Sequence, residues 1–574
     1  MKQPSTFSQR AYRAWLVGAG TLAWGLIQAC AAPALTFNRD IAPIIFANCS
    51  GCHRPGQPAP FSLLNYDDVK RHARQIAEVT GHGFMPPWLP EGGHRAFMDE
   101  RRLQPDQIQA LKTWLEAGTP EGKAGELPPL PHWPEGWQLG PPDLIVRMPR
   151  PYALESEGYD VYRNFVIPVP IQTTKYVRAV EFHPGPGGIV HHAFIRVDRR
   201  GLAQTLDGQD GQPGFGGMKL PEGVETPSGY FLSWQPGKVP SSEAPGFGWT
   251  LQPGQNLVME GHLKPSGKKE HLQTEVGLYF TDIEPTNSTV VFSLGSLSID
   301  VPPDNHNYLI EDEFILPIPV KLLRVLPHAH YLGKRLEGTA ILPGGAAEVL
   351  IRIPDWDFNW QGDYRYAEPL ALPAGTVIRM KFQYDNSKDN PRNPNSPPKS
   401  VTYGPNSADE MAELWFQALV QGPGEAALLK DAYKQKQSRM VEQYAAFRIS
   451  KNPHDAGART ELGFIQMSRK DPASALAAFA LASREDPKLD LPHYYTGLIY
   501  RTQEKTAEAI AEFEIALKLN PKNGRAHGNL GFLYMQKGNL SRAEGHLREA
   551  VKLDPSDDLA RNGLDQIRNA KRRQ

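Results

Sequence analysis

Near the amino terminus, two cysteines and a histidine have the spacing of a cofactor-attachment motif. Cys49 and Cys52 enclose two residues and His53 follows directly, which gives the pattern C-x-x-C-H. Two thiols at this spacing can add across the two vinyl groups of a haem, and the histidine then lies under the iron as its axial ligand. A redox dithiol does not need His53, and a zinc site would need a second pair of ligands. The motif therefore predicts one covalently bound c-type haem.

The second axial ligand of this haem is predicted to be Met85. Residues 84–88 read Phe-Met-Pro-Pro-Trp and resemble the ligand loop of small c-type cytochromes, with prolines that would stiffen it. A methionine is more often a core residue, which is the competing interpretation. Met98 is the next candidate. Three histidines are weaker candidates: His72, His82 and His94.

Five histidines in the middle of the chain have the spacing of metal ligands. His191 and His192 are adjacent, His262 stands alone, and one residue separates His328 from His330. Residues i and i+2 of a strand project to one face, so the last two can hold one ion. The adjacent pair would point to opposite faces of a regular strand, and joint binding requires a twisted backbone or a strand end there. A lone histidine on a strand is more often a hydrogen-bonded core residue.

With these motifs, residues 143–420 resemble the copper type II, ascorbate-dependent monooxygenase family. The specific elements are H-x-H-x-L-G-K, which begins at His328, and Asp409-Glu410-Met411. The resemblance implies two β-sandwich domains, each with one copper ion. By match, the ligands of the first ion are His191, His192 and His262, and those of the second are His328, His330 and Met411. His271 is the alternative to His262.

The resemblance also implies a division of labour between the two ions. The first copper would store and pass an electron, and the second would bind dioxygen and abstract hydrogen from a substrate C–H bond. The catalytic residues are then His328, His330 and Met411. The donor chemistry independently favours copper, because a thioether is soft and zinc rarely recruits methionine. Zinc or a structural metal is the alternative.

Three substitutions within the resemblance bear on the substrate. Leu326, Glu413 and Trp415 stand where peptidylglycine-hydroxylating members carry an arginine, an asparagine and a tyrosine that hold the peptide carboxylate. An anionic peptide end would find no cation there and would meet Glu413. We therefore expect a small, more apolar organic substrate, with dioxygen as co-substrate. The haem would supply electrons, replacing or supplementing ascorbate, and a redox protein is the other possible donor.

The elements that must position these residues follow from periodicity. Residues 66–79 and 105–115 have helical apolar spacing, which predicts a small helical cytochrome c domain over residues 36–120. A proline-rich linker follows over residues 121–142. Short strand-like runs separated by Pro, Gly, Asn and Asp predict two β-sandwich domains, residues 143–299 and 300–420, with a join near Asp300-Val301-Pro302-Pro303.

The carboxyl-terminal part is repetitive. Gly463, Gly497 and Gly531 are spaced by 34 residues, and columns of alanines and prolines keep the same period. This pattern resembles the tetratricopeptide repeat, an α-solenoid unit whose stacks usually bind peptides or proteins. We predict a helical connector, three repeats and a capping helix with a tail, over residues 421–455, 456–557 and 558–574. An unrelated helical bundle is the alternative.

The charge balance and the amino-terminal residues limit the possible classes of protein. The 62 Lys and Arg residues nearly balance the 63 Asp and Glu residues, which argues against nucleic-acid binding. A basic start, an uncharged run over residues 14–27 and small residues after it predict a signal peptide over residues 1–34. The protein is therefore expected in the periplasm or outside the cell. Cys30 lies in a loose lipoprotein-like sequence, so a lipid anchor is an alternative.

Three functions are consistent with this pattern. The leading hypothesis is an enzyme, a copper-dependent monooxygenase with a haem inlet. The second is a non-catalytic periplasmic electron-transfer or copper-binding protein, for which Met411 would be unnecessary. The third is a scaffold in which the repeats dominate the role.

Overall fold

The computed structural model describes residues 34–573 except for a few short gaps. The gaps are residues 56, 58, 135, 186–187, 218–219, 228–229, 231, 237 and 556. Of the signal peptide predicted over residues 1–34, residues 1–33 lie outside the described residues, and Cys30 is among them. Within the described part, no helix has both the length and the apolar character needed to cross a bilayer.

The first unit is a small helical domain. It contains a one-turn π-helix (Phe37–Ile41), α1 (Ala42–Asn48), α2 (Tyr66–Gly81) and α3 (Pro105–Glu116). Asn65 caps α2 by accepting a hydrogen bond from the backbone N–H of Asp68 at 2.9 Å. The apolar stripes of the helices meet in one core that includes Phe37, Val69 and Trp114.

The proline-rich segment after α3 is fastened at both ends. On the helical domain, the N–H of Phe37 donates to the carbonyl of Pro120 at 2.8 Å. After a 3₁₀ turn (Ala124–Glu126), Trp137 stacks on His183 with ring centroids 3.7 Å apart. Two backbone N–H groups nearby donate to the buried carboxylate of Glu181. The segment therefore holds the helical domain close to the next one.

The first β domain has two facing sheets around one core. Its strands are β1 (Leu144–Arg147), β2 (Tyr152–Leu154), β3 (Val161–Pro168), β4 (Lys175–His183), β5 (Val190–Asp198), β6 (Phe215–Gly216), β7 (Val224–Glu225), β8 (Ser233–Trp234), β9 (Trp249–Leu251), β10 (Asn256–Leu263), β11 (Glu270–Leu272) and β12 (Glu275–Thr281), with a short helix α4 (Leu202–Leu206) after β5. One sheet has the order β1-β12-β4-β9, and the other β6-β3-β10-β5-β7 with β8 beside β5. Alternating burial along these strands puts one face of each sheet in the shared core.

The second β domain repeats this layering. Its strands are β13 (Ser288–Gly295), β14 (Asp300–Val301), β15 (Tyr308–Ile315), β16 (Val320–Ala329), β17 (Gly333–Ile341), β18 (Ala347–Ile353), β19 (Tyr364–Leu372), β20 (Val377–Tyr384), β21 (Val401–Thr402) and β22 (Ala412–Val420), with a 3₁₀ turn (Phe358–Trp360) before β19. The main sheets have the orders β13-β22-β16-β19 and β15-β20-β17-β18.

The join between the β domains lies earlier than predicted. β13 pairs with β22 from Ser288 to Gly295 and so belongs to the second domain. The predicted join at Asp300 is strand β14, which pairs with β21 inside that domain. The boundary of 299/300 is therefore replaced by one just before Ser288.

Eight helices complete the described chain. They are α5 (Gly422–Lys451), α6 (Ala456–Ser468), α7 (Pro472–Glu485), α8 (Leu491–Thr502), α9 (Thr506–Leu519), α10 (Gly524–Gln536), α11 (Leu540–Leu553) and α12 (Asp558–Arg573). From α6 to α11 they form three antiparallel pairs, and the periodic glycines lie where paired helices are closest. A Cβ on Gly463 would stand 2.5 Å from the ring of Phe479, and one on Gly497 2.8 Å from that of Phe513. Only glycine fits at these crossings.

The helical repeat region touches both β domains. At its start, α5 packs against β13, and the Tyr433 hydroxyl lies 2.7 Å from that of Ser293. At its end, Arg200 of the first β domain pairs with Asp554 at 2.6 Å. The connector helix α5 and the repeats together therefore contact both β domains.

Candidate metal centre

The adjacent histidines lie at a β-bulge. On β10 and β5, His262 is in register with His192, but the next residue, Leu263, is in register with Val190. His191 is therefore the extra residue of the bulge, and the local twist turns both adjacent imidazoles toward His262. Ligand nitrogens of the three histidines all lie within 4.8 Å of one another. We call these three residues the first histidine group.

Burial keeps these imidazoles neutral. Burial, aided by the positive charge of Lys264, lowers the pKa of His191 to about 2. Burial also lowers the pKa of His192 well below its usual range. A neutral imidazole has a lone pair available for a metal ion. Among the described residues, the buried Nε2 of His191 has no hydrogen-bond partner.

His262 is oriented by two neighbours. Its Nε2 lies 2.8 Å from the carboxylate of Asp160, and its Nδ1 lies 3.2 Å from the hydroxyl of Tyr162. Burial opposes ionisation of Asp160, but hydrogen bonds from His262 and Ser407 outweigh it and lower its pKa to about 2. A carboxylate on one imidazole nitrogen fixes the ring and raises the basicity of the other nitrogen. Because Ser407 belongs to the second β domain, Asp160 also links the two domains at the site.

His328 and His330 form a second group with Met411. Strand β16 ends at Ala329, and the two imidazoles on either side of it have ring centroids 5.2 Å apart. The Nδ1 of His328 lies 2.6 Å from Oε1 of Gln361, and the Nδ1 of His330 lies 3.1 Å from the carbonyl of Asp409. When Nδ1 donates in this way, Nε2 of each ring is left as the ligand atom. We call these three residues the second ligand group.

Glu410 holds the second ligand group together. Its fully buried carboxylate accepts hydrogen bonds from the backbone N–H groups of His330, of Leu332 at 3.0 Å and of Met411 at 2.8 Å. Burial raises the pKa of Glu410 to about 8, although these N–H groups favour the charged form. The Glu410 side chain thus connects the segment of His328 and His330 to Met411, which directly precedes β22.

Replacing Glu410 with alanine should weaken both the fold and the site. Three buried backbone N–H groups lose their acceptor, so the free energy of unfolding should fall by about 3 kcal/mol. Bound copper should fall together with it. Glu410→Gln keeps an acceptor oxygen, so its free energy of unfolding and its copper content should fall less than those of the alanine variant. Denaturant unfolding measures the first effect and metal analysis the second.

Glu311→Ala is the matched control. Glu311 is exposed and pairs with Lys381 across the surface of the same domain at 3.2 Å. Its loss should change the free energy of unfolding by less than about 0.5 kcal/mol. Equal effects of the two alanine variants would contradict the role of Glu410.

The two groups meet at one cavity between the β domains. The ring centroids of His192 and His328 are 6.2 Å apart. A cavity of about 250 Å³ is lined by members of both groups, together with Leu326, Glu413 and Trp415. All six predicted metal ligands therefore lie in one region, with His191 behind the cavity wall.

A buried charge network closes the domain junction beside this cavity. Lys238 of the first β domain donates to Asp363 of the second at 2.9 Å. Arg324 of the second donates to Glu243 of the first at 2.8 Å. Both pairs are largely buried, so separating the domains would expose unpaired charges.

One sequence-based inference about the cavity is wrong. We expected no cation to face the substrate, but Arg196 lines the cavity. Its guanidinium donates to Glu260 at 2.8 Å, so that charge is already paired. With Glu413 added, the described lining has an excess of negative charge. An anionic substrate is still disfavoured, because the lining carries net negative charge and not because a cation is absent.

The donor set suits a copper ion in each group. Three neutral imidazoles face one another in the first, and two imidazoles with a thioether line the second, a combination that binds Cu(I) well. The unpartnered Nε2 of His191 is the buried atom of this group that is free to bind an ion. His271, the alternative to His262, is exposed on β11 opposite Ala153 and is not a member of the first histidine group.

The C-x-x-C-H segment lies on a turn at the surface of the helical domain. Cys49 and Cys52 are free thiols on the turn after α1. Nδ1 of His53 lies 3.1 Å from the carbonyl of Phe61, which leaves Nε2 available as a metal ligand. Burial lowers the pKa of His53, and that favours the neutral ligand form.

The candidates for the second axial ligand differ in exposure and in their contacts. Met85 is half-buried just after α2. Met98 is 42% exposed, and its backbone N–H donates to Arg365 of the second β domain. His94 lies 3.1 Å from Glu91, and His72 stacks on Phe61. Because Met98 is exposed and its backbone is bound to the second β domain, it is a weaker candidate than Met85 for the second axial ligand.

Comparison with known proteins identifies only the repeats. A tetratricopeptide-repeat family model matches residues 496–558, which confirms tetratricopeptide repeats in the carboxyl-terminal region. The chain is similar to the crystal structure of MamA, at 17% identity over 24% of this chain and 81% of that one, with a TM-score of 0.22. It is also similar to the first tetratricopeptide-repeat domain of Spaghetti (RPAP3) bound to an HSP90 peptide, at 21% identity over 20% and 91%, with a TM-score of 0.19. Comparison with curated proteins gives no match.

Proposed function

We propose that the protein is a copper-dependent monooxygenase. It hydroxylates a C–H bond of an organic substrate with dioxygen and receives electrons through a haem c at residues 49–53. The carrying observation is that five histidines and Met411, from four separate parts of the sequence, converge at or directly beside one cavity between two β domains. A structural metal site would not need such an open cavity beside it.

The residues around the cavity have distinct roles in this proposal. Copper in the two groups would supply one-electron redox chemistry and activation of dioxygen. Gln361 and the carbonyl of Asp409 fix the imidazole orientations of the second ligand group. Leu326 and Trp415 offer an apolar surface to the substrate, and the indole N–H of Trp415 donates to Glu413 at 3.0 Å. This hydrogen bond fixes the position of the Glu413 carboxylate in the cavity lining.

The helical domain would act as a cytochrome c domain. It would deliver electrons to the two β domains, which would be copper-binding β-sandwiches. A haem transfers one electron at a time, and so does each copper. Because the proline-rich segment is fastened at both ends, donor and acceptor stay near each other at a high effective concentration. Ascorbate or a redox protein would reduce the haem.

Export and a partner complete the proposal. Covalent attachment of haem c usually occurs outside the cytoplasm, which fits a periplasmic or secreted enzyme, with or without a lipid at Cys30. Tetratricopeptide repeats commonly mediate contacts between proteins. The repeat region would therefore bind a protein partner, while its two ends rest on the β domains.

Oxygen uptake by the purified full chain tests the proposed activity. Copper-loaded protein with ascorbate and a panel of neutral, apolar substrates should consume dioxygen and place one of its oxygen atoms in the product, as mass spectrometry with labelled dioxygen would show. Met411→Leu keeps the shape of the side chain but removes the thioether and should end product formation. Copper binding with no uptake would indicate an electron-transfer or copper-holding protein. Stoichiometric binding of zinc but not copper would contradict the proposal.

A further inference from the structure

The segment after α2 leaves the helical domain and docks on the second β domain. The N–H of Glu91 donates to the carbonyl of Arg352 at 2.7 Å, and that of Met98 to Arg365 at 2.8 Å. Phe97 forms an antiparallel bridge with Tyr366 of β19. Because β19 is the edge strand of its sheet, residues 96–98 extend that sheet by a short strand.

Side chains make this docking firm. The ring of Phe97 is buried in the core of the second β domain, 5.6 Å from Tyr364 and 5.3 Å from Tyr366. Trp88 packs edge-on against Tyr364 at 5.3 Å. The same segment carries Met85, so a haem bound by this residue would lie near the second β domain.

A short path connects this segment to the second ligand group. Phe84, adjacent to Met85, packs edge-on against the indole of Trp360, with centroids 6.3 Å apart. Trp360 is followed by Gln361, whose Oε1 lies 2.6 Å from Nδ1 of His328. A short path therefore joins the candidate haem loop to a candidate copper ligand. It runs through the ring contact with Trp360, along the chain to the side chain of Gln361, and across one hydrogen bond to His328.

We propose that electrons from the haem enter the copper centre at the second ligand group, through Trp360 and Gln361. This inference rests on the proposed function. In the step, the haem iron loses one electron and Cu(II) held by His328, His330 and Met411 gains it, with no proton transfer. Trp360 and Gln361 are positioning residues, because they act through His328. The resemblance to copper monooxygenases implies the opposite order, with entry at the first ion.

Anaerobic flash reduction separates the two orders. In the copper-loaded full chain, a photoreduced flavin delivers less than one electron per haem, and the haem α band then reports its reoxidation by Cu(II). The wild-type rate should be first order and independent of protein concentration. Trp360→Leu should slow it by about tenfold or more, because the lost indole opens a gap in the path. Trp360→Phe should restore most of the rate.

Other variants complete the test. Phe464→Leu is the matched control, since Phe464 is an exposed aromatic side chain that contacts Tyr495 in the repeats, away from the path, and its rate should be unchanged. His191→Ala should keep the fast reoxidation, whereas His328→Ala should lose it. An unchanged rate in Trp360→Leu, or loss of reoxidation in His191→Ala, would overturn the inference and leave the proposed function standing. A wild-type chain without covalent haem or without copper would instead refute the proposed function.

Discussion

Replacing His328 with alanine should reduce the copper content from two ions per chain to one and abolish hydroxylation. The second ligand group would retain only one imidazole and one thioether, too few to hold the ion in a partly buried site. The lost imidazole also leaves Gln361 without its partner at 2.6 Å. Copper per chain after dialysis and product formation with labelled dioxygen are the two measurements.

Two other histidines provide the controls for this result. His191→Ala should empty the first histidine group and spare the second, because the two groups are held by different strands. His271→Ala should keep both ions, since His271 is exposed on β11. If His271→Ala loses copper while His262→Ala does not, the ligand assigned to the first ion is wrong. If His328→Ala keeps two ions, the second ligand group is not a copper site.

The repeats could be predicted from sequence because their contacts are local. Each helix pair contacts its neighbours in the chain, so the constraint that makes Gly463, Gly497 and Gly531 necessary recurs at a fixed period. The family match over residues 496–558 confirms that prediction. Periodicity of this kind needs no knowledge of distant contacts.

The first histidine group could be predicted only in outline. Side-chain alternation shows that His191 and His192 need an irregular backbone to act together, and the bulge between β5 and β10 supplies it. The register that sets His192 beside His262 depends on pairing across some seventy residues. No local pattern in the sequence encodes that register.

The residues that orient the ligands escaped prediction altogether. Asp160 and Gln361 lie far in sequence from the histidines they contact, and neither belongs to a recognisable motif. Glu410 lies inside the Asp-Glu-Met element, but its role as an acceptor for backbone N–H groups appears only in the fold. Arg196 was missed because its cavity forms between two domains.

Removing both thiols of the C-x-x-C-H segment should eliminate covalently bound haem. Backbone bonds from Cys52 and His53 to the carbonyl of Cys49, at 3.1 and 2.9 Å, hold the three side chains on one tight turn. The wild-type chain should retain its haem through acid–acetone extraction and show a c-type α band when reduced. The Cys49→Ala, Cys52→Ala double variant should release all of it, and Cys52→Ala alone should keep one thioether and a shifted band.

The axial ligands should respond differently from the thiols. Met85→Ala should change the axial ligation, seen as an altered reduced spectrum, without releasing the haem, because the thioethers remain. Met98→Ala is the matched control, and its spectrum should match the wild type since that side chain is exposed. An unchanged spectrum in Met85→Ala would reassign the ligand to Met98 or a histidine. Haem lost from the wild type on extraction would exclude covalent attachment, and the β domains would then depend on an external reductant.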